Sequence, residues 1–284
     1  MSFGDVFQRL AHEYYQLTAA ERRIADYVSS HQKEAPFLSI SEMAEQVGVA
    51  EATVTRFCRR LGFKGYNAFK LELVNAAAFQ APGNPLAGEV LPEDSPEDMC
   101  RKISSAHIQA IERTRELIRP QSIARAADLL LAARHVICMG QGGSMILAQE
   151  AAHLFSTALP NFNAVPDSHM QAIRASLLDS RDAILYFSYS GSTRDLAEMM
   201  KIVRQREIPL ILVTRFPNCP CAAEASVVLE CGSQESPLQL GSVAAKMAQL
   251  YLIDVLFSEV FRRDMESIRR RRNMVADALM DKHL

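Results

Sequence analysis

Between residues 135 and 230, short β-rich apolar runs alternate with helical segments, and no other feature of the chain constrains its fold as much. The runs are 135–139, 161–165, 183–187, 209–214 and 227–230, and helices are read at 144–157, 168–177 and 194–206. Strands this short, separated by helices of about ten residues or more, require a parallel sheet covered on both faces. Ligands of such sheets sit outside the C-terminal strand ends. Helical segments at 96–117 and 122–133 precede the alternation, a long helix at 241–263 follows it, and the tail to residue 284 stays helical in pattern.

The front of the chain reads differently. Residues 1 to about 76 form a succession of short helices without a strand signal. Thr18 and Glu21 are spaced as a capping box, as are Ser39 and Glu42, and Gly48 stops the helix that Ser39 opens after two turns. Prolines at 82, 85, 92 and 96 then mark a linker. A chain of 284 residues, about half apolar, has ordinary dimensions for two domains.

The formal net charge of −2 leaves no global field for nucleic acid, so any such attraction comes from local clusters. The start lacks a basic stretch followed by an apolar run, and no segment approaches the roughly 20 apolar residues of a membrane span. A cytoplasmic protein is expected. Cys58, Cys100, Cys138, Cys219, Cys221 and Cys231 lack paired CxxC spacing and nearby histidines, so no metal is expected. They read as packing thiols, with Cys58 on an apolar helix face and Cys138 in a strand.

Residues 39–47 and 51–61, two short helices joined at a glycine, have the dimensions of a helix-turn-helix, whose second helix enters the major groove. On that second helix Val54, Phe57, Cys58 and Leu61 share one face. Ala52, Thr53, Thr55, Arg56, Arg59 and Arg60 are left for DNA. Arg56, mid-helix, suits a bidentate grip on guanine, while Arg59, Arg60, Lys64 and Lys70 suit phosphates. Between Glu51 and Lys70 five basic residues stand against one acid, more clustering than an ordinary solvated face needs.

Two loops of the alternating half carry ligand chemistry. Gly140-Gln141-Gly142-Gly143-Ser144 joins a strand to a helix, where glycines admit a ligand and a helix start favours an anion. As a dinucleotide fingerprint it fails, because Met145 replaces the final glycine and no acid ends the second strand. No cofactor is expected. The second loop, Ser188-Tyr189-Ser190-Gly191-Ser192-Thr193, supplies hydroxyl donors before another helix; with Ser144 they can surround a phosphate. His169, after the second strand, reads either as a sugar-hydroxyl contact or as a helix-cap or surface histidine. Glu235 reads either as an acceptor for sugar hydroxyls or as a solvated acid, and the run 269–272 of four arginines either as a partner surface or as a solvated helix face.

The run Val49-Ala50-Glu51-Ala52-Thr53-Val54-Thr55-Arg56-Phe57-Cys58-Arg59-Arg60-Leu61-Gly62-Phe63-Lys64-Gly65-Tyr66, with Phe69-Lys70, resembles the N-terminal signature of the RpiR family of bacterial transcriptional regulators. That family usually has serine where this chain has Ala50, and alanine gives up a helix cap of about 1 kcal/mol. The two ligand loops resemble those of the sugar isomerase (SIS) domain, which binds phosphorylated sugars, often dimerises, and stands downstream of such a helix-turn-helix. The likeness spans about residues 100 to 262. It implies phosphate-holding roles for Ser144, Ser188, Ser190 and Thr193, with Gly142 and Gly191 as close-approach glycines.

The expected fold is thus an all-α helix-turn-helix head at 1–77, a linker at 78–98, and a three-layer α/β SIS domain at 99–284, its parallel sheet flanked by helices. The expected function is a transcriptional regulator that binds operator DNA and responds to a phosphorylated sugar or amino sugar as a homodimer or homotetramer. The ligand set is Gly142, Gly143, Ser144, His169, Ser188, Ser190, Gly191, Ser192, Thr193 and Glu235, and no catalytic residue is expected. The alternative is an aldose-ketose sugar-phosphate isomerase, for which Glu150, His153, His169 and Glu235 are the available acids and bases.

Overall fold

In the computed structural model the described residues are 6–32, 34–78, 90–232 and 242–280. Most of the expected linker, the last four residues and Glu235 lie outside them. The chain divides into two compact units, one running up to Ala110 and also taking in Ser233–Ala244, the other holding Ile111–Gly232 and everything from Ala245 on.

The first unit contains α1 (Val6–Glu13), α2 (Ala19–Ser30), α3 (Ile40–Val47), α4 (Glu51–Arg60) and α5 (Tyr66–Ala78). Local chemistry sets the boundaries. At the head of α2, Thr18 Oγ1 accepts the Glu21 N–H while the Glu21 carboxylate accepts the Thr18 N–H at 2.9 Å. Ser39 and Glu42 repeat the arrangement at α3. Each box satisfies N–H groups that a helix start leaves without partners. Gly48 ends α3 with φ at +68°, a conformation that favours glycine, and its N–H closes onto Ala44 and Glu45. Ile24, Val28, Met43, Val54, Phe57, Cys58 and Phe69 are buried, and Phe57 and Phe63 both meet Phe69 edge-on, at 5.6 and 5.5 Å. α2 and α3 both pack on α4.

Helix α6 (Pro96–Leu117) opens on a proline, whose missing N–H costs nothing there, and α7 (Pro120–Ala132) does the same. The sheet follows: β1 (Val136–Gly140), α8 (Gly143–Ser156), β2 (Phe162–Ala164), α9 (Ser168–Ser176), β3 (Ala183–Phe187), α10 (Arg194–Arg206), β4 (Leu210–Thr214) and β5 (Val227–Glu230). All pairs are parallel, in the order β2-β1-β3-β4-β5. β1, β3 and β4 are buried at every residue, which is why they read as unbroken apolar runs. Edge strand β5 is buried only at alternate residues.

Right-handed crossovers place α8 on one face, because β2 lies on the opposite side of β1 from β3, and α9 and α10 on the other. Packing agrees with this. On the first face Phe155 of α8 stacks on Phe162 at 4.5 Å and meets edge-on Phe257 of α11 (Val243–Arg263). On the second, α9 and α10 pack together. The last helix, α12 (Met265–Met280), buries only Ile268 among its described residues. No described helix is long and apolar enough to cross a membrane.

Candidate functional site

In the head, α4 buries Val54, Phe57 and Cys58, with Leu61 following, and turns Ala52, Arg56, Arg59 and Arg60 outward; Thr53 and Thr55 are half-buried. Ala50 holds the backbone conformation of a cap, φ −75° and ψ 148°, but offers no side-chain acceptor. The cations of this segment are not equivalent. Arg60 donates to the Gln16 carbonyl and faces the Glu21 carboxylate at 3.5 Å, while Lys70 donates to the carbonyls of Leu38 and Phe37 at 2.8 and 3.2 Å. Both are pinned by acceptors far away in sequence. Among the described residues Arg56 donates to the Thr53 hydroxyl alone, at 3.2 Å, and Arg59 and Lys64 are exposed.

The second unit has its topological switch between β1 and β3, where successive connections leave in opposite directions and open a crevice beyond the strand ends. Gly140 pairs with Phe187, so the loops that follow them lie at neighbouring strand ends. A Cβ on Gly140 would stand 2.9 Å from the backbone of Ser144 and 3.0 Å from the Phe187 carbonyl. Only glycine lets the turn fold that tightly. Gly142 follows with φ at +54°, and α8 begins at Gly143 with Ser144 in its first turn.

The hydroxyl loop is held from within. Gly191 N donates to the Ser188 carbonyl and hydroxyl, at 3.1 and 3.2 Å, and Ser192 N donates to the Ser190 hydroxyl. Thr193 caps α10 by accepting the Leu196 N–H. A hydroxyl can accept one bond and donate another, and the bonds accepted here aim the side chains of Ser188, Ser190 and Thr193 within the loop. Gly191, at φ +63°, lies against Cys219. A Cβ there would come 2.7 Å from Cys219 Cβ and 3.0 Å from Thr214 Oγ1.

Beneath the crevice lies an amide network. Gln141 Nε2 donates to Gln171 Oε1 at 3.0 Å, and the buried Gln171 amide donates to the carbonyls of Gly140 and Val165 at 3.0 and 2.8 Å. Tyr186 Oη is buried and makes no hydrogen bond of good geometry among the described residues; Gln141, the amide nearest to it in effect, donates to Gln171. Burial pushes the Tyr186 phenol up to about 12. His169 is exposed in the first turn of α9, which Asp167 caps at 2.8 Å.

One cation at the crevice had no signal in the sequence. A Cβ on Gly143 would meet Lys246 of α11, with Cε at 3.4 Å and Nζ at 3.8 Å. The helix pairing places this ammonium beside the β1–α8 turn, although Lys246 is a solitary lysine about a hundred residues from that turn. Among the described residues, no group of His, Cys, Asp and Glu is arranged to hold a metal. All six cysteines are unbridged, and only Cys100 is exposed.

A helical head whose reading helix exposes arginines, followed by a doubly wound parallel α/β domain, is the build of a two-domain DNA-binding regulator. Residues 4–80 match the helix-turn-helix domain, rpiR family, and residues 129–259 match the SIS domain. The transcriptional regulator HexR of Pseudomonas aeruginosa is 32% identical over 248 residues, 87% of this chain and 86% of HexR. An uncharacterised HTH-type transcriptional regulator of Haemophilus influenzae is 27% identical over 99% of this chain and 98% of its own length. Among solved structures, the Vibrio vulnificus NanR protein complexed with ManNAc-6P shares the fold, with a TM-score of 0.63, 24% identity, and coverage of 98% of this chain and 99% of that one. The chain belongs to the RpiR family of transcriptional regulators, with an N-terminal helix-turn-helix and a C-terminal SIS domain.

Proposed function

We propose that the crevice at the β1/β3 switch binds a phosphorylated sugar or amino sugar, and that its occupation changes the affinity of the protein for operator DNA. One observation carries the reading: two loops built for close approach and hydroxyl donation meet at in-register strand ends, with an ammonium beside the first of them at Gly143. Ser144, Ser188, Ser190, Ser192 and Thr193 donate to the phosphate, Gly142, Gly143 and Gly191 let the backbone approach, and Lys246 supplies charge. His169 and Glu235 remain candidates for the sugar hydroxyls. The ManNAc-6P in the NanR complex supports this ligand class.

The DNA contacts are Ala52, Thr53, Thr55, Arg56, Arg59 and Lys64, with Arg56 reading bases and the others positioning. Arg60 and Lys70, held by the head's own carbonyls, present fixed charge. The protein acts in the cytoplasm as a homodimer or homotetramer, so that paired heads address half-sites about 34 Å apart. No cofactor takes part. The domain senses its ligand and does not turn it over: of the four acid–base candidates, Glu150 and His153 are exposed on α8, 3.7 Å from each other, as a surface pair, and His169 and Glu235 are assigned to binding sugar hydroxyls.

Hexose, pentose and N-acyl amino-sugar phosphates, their unphosphorylated parents and inorganic phosphate form the test panel in thermal denaturation. A true ligand at 100 times its dissociation constant adds about 2.7 kcal/mol. The reading expects one phosphosugar class to stabilise the protein while its parent sugar does not. No stabilisation by any phosphosugar, or conversion of one at an enzyme-like rate, overturns it.

A further inference from the structure

We infer that Arg23, on α2 and outside the helix-turn-helix itself, is a DNA-phosphate contact that anchors the reading helix at its N-terminal end. The basic residues of the head divide by what holds them. Arg9 donates to the Leu61 carbonyl and lies 4.7 Å over the Phe63 ring, Arg22 donates to the Tyr15 carbonyl, and Arg60 and Lys70 are pinned as described. Arg23 is exposed and has no hydrogen bond or ion pair among the described residues. Its five donors serve no protein acceptor there, although it belongs to a helix whose other polar side chains are engaged at Glu21, Arg22 and Asp26.

Its position gives that free charge a use. α2 packs on both α3 and α4. Glu21 reaches Arg60, the last residue of α4, whereas Arg23 lies at the opposite end, with Nη1 3.8 Å from where a Cβ on Gly48 would stand. Gly48 is the turn between the two helices, and α4 starts three residues later at Glu51. The N-terminal residues of a reading helix are those that contact base edges, so the turn before them faces the sugar-phosphate rail. A guanidinium beside that turn is placed for a phosphate, and phosphate contacts fix register without reading sequence.

The test uses the intact protein and a duplex it selects from a random-sequence pool, with a scrambled duplex of the same length as reference. Affinity is measured against sodium chloride concentration for the wild type, Arg23→Ala, Arg23→Lys and Arg56→Ala. Loss of one phosphate contact lowers the slope of log affinity on log salt by about 0.9. Arg23→Ala is expected to show that change, to weaken selected and scrambled duplexes by a common factor, and to leave the melting temperature unchanged; Arg23→Lys restores most of the slope. Arg56→Ala is expected instead to lower the ratio of selected to scrambled affinity. An unchanged slope in Arg23→Ala, which would make Arg23 a solvated surface charge, overturns the inference. So does a loss confined to the selected duplex, or one that tracks a fall in melting temperature.

Discussion

Gly191→Ala is the substitution that most sharply tests the geometry of the hydroxyl loop. Two costs combine at this position. The backbone sits at φ +63°, where an L side chain costs roughly 1–2 kcal/mol. The added methyl must also displace Cys219, whose Cβ would lie 2.7 Å away, and crowds Thr214 at 3.0 Å, which adds overpacking of about 1–3 kcal/mol. The sum, about 2–5 kcal/mol, is large against a typical domain stability of about 5–15 kcal/mol. Three other glycines separate the costs. A Cβ on Gly142 is strained at φ +54° and ψ −125° but meets nothing within 4 Å, so Gly142→Ala reports a backbone cost without a clash. Gly140→Ala isolates the clash, against the backbone of Ser144 and Phe187, and Gly65→Ala, with nothing within 4 Å and no positive φ, carries neither. Urea denaturation of the four variants is expected to rank Gly191→Ala, Gly140→Ala and Gly142→Ala all above Gly65→Ala in cost. Phosphosugar affinity should fall with Gly191→Ala even where the protein remains folded, because the loop must shift to admit the methyl. If Gly191→Ala is as mild as Gly65→Ala, the packing described for this loop is refuted.

Ala50→Ser should stabilise the head by about 0.5–2 kcal/mol, since the backbone at Ala50 already has cap geometry and a hydroxyl there can accept from the Ala52 N–H or share the Thr53 N–H with the Ala50 carbonyl; an unchanged midpoint in urea counts against the cap. Tyr186→Phe should match or exceed the wild type in melting temperature, because it removes a buried hydroxyl that makes no hydrogen bond of good geometry among the described residues, and a marked fall would mean that the phenol is engaged, with Gln141 the first candidate. Hydrogen bonds from Arg262 and Arg263 lower the Glu259 carboxyl to about 2. A depressed carboxylate contributes stability that is full above its unfolded value near 4.5 and lost as pH falls toward 2. Glu259→Gln should therefore be less stable than the wild type at neutral pH, with the gap closing below about pH 4; a gap constant with pH contradicts the assignment.

What the sequence revealed followed the range of the forces involved. The capping boxes at Thr18 and Ser39 and the Gly48 stop are local chemistry, and the structure has all three. The strands were legible because burial on both faces leaves only apolar residues in β1, β3 and β4. The neighbouring glycine and hydroxyl loops were legible for the same reason, being tied to strand ends. Tertiary partners were not. Lys246 gives no pattern of its own, and its approach to Gly143 exists only because α11 packs beside α8. In the sequence Arg60 and Lys70 look no different from Arg59 and Lys64, yet carbonyls 44 and 32 residues away fix them. The Gln141–Gln171 bond joins residues from two different crossovers, so no window of sequence contains it.

The most direct measurement is DNA affinity with and without saturating phosphosugar, for the wild type and for Ser190→Ala. The structure predicts that ligand shifts wild-type affinity severalfold, whereas Ser190→Ala binds DNA as the wild type does without ligand and does not respond to it. An undiminished response in Ser190→Ala, with the ligand at the same concentration, would place the sensing site somewhere other than the β1/β3 crevice.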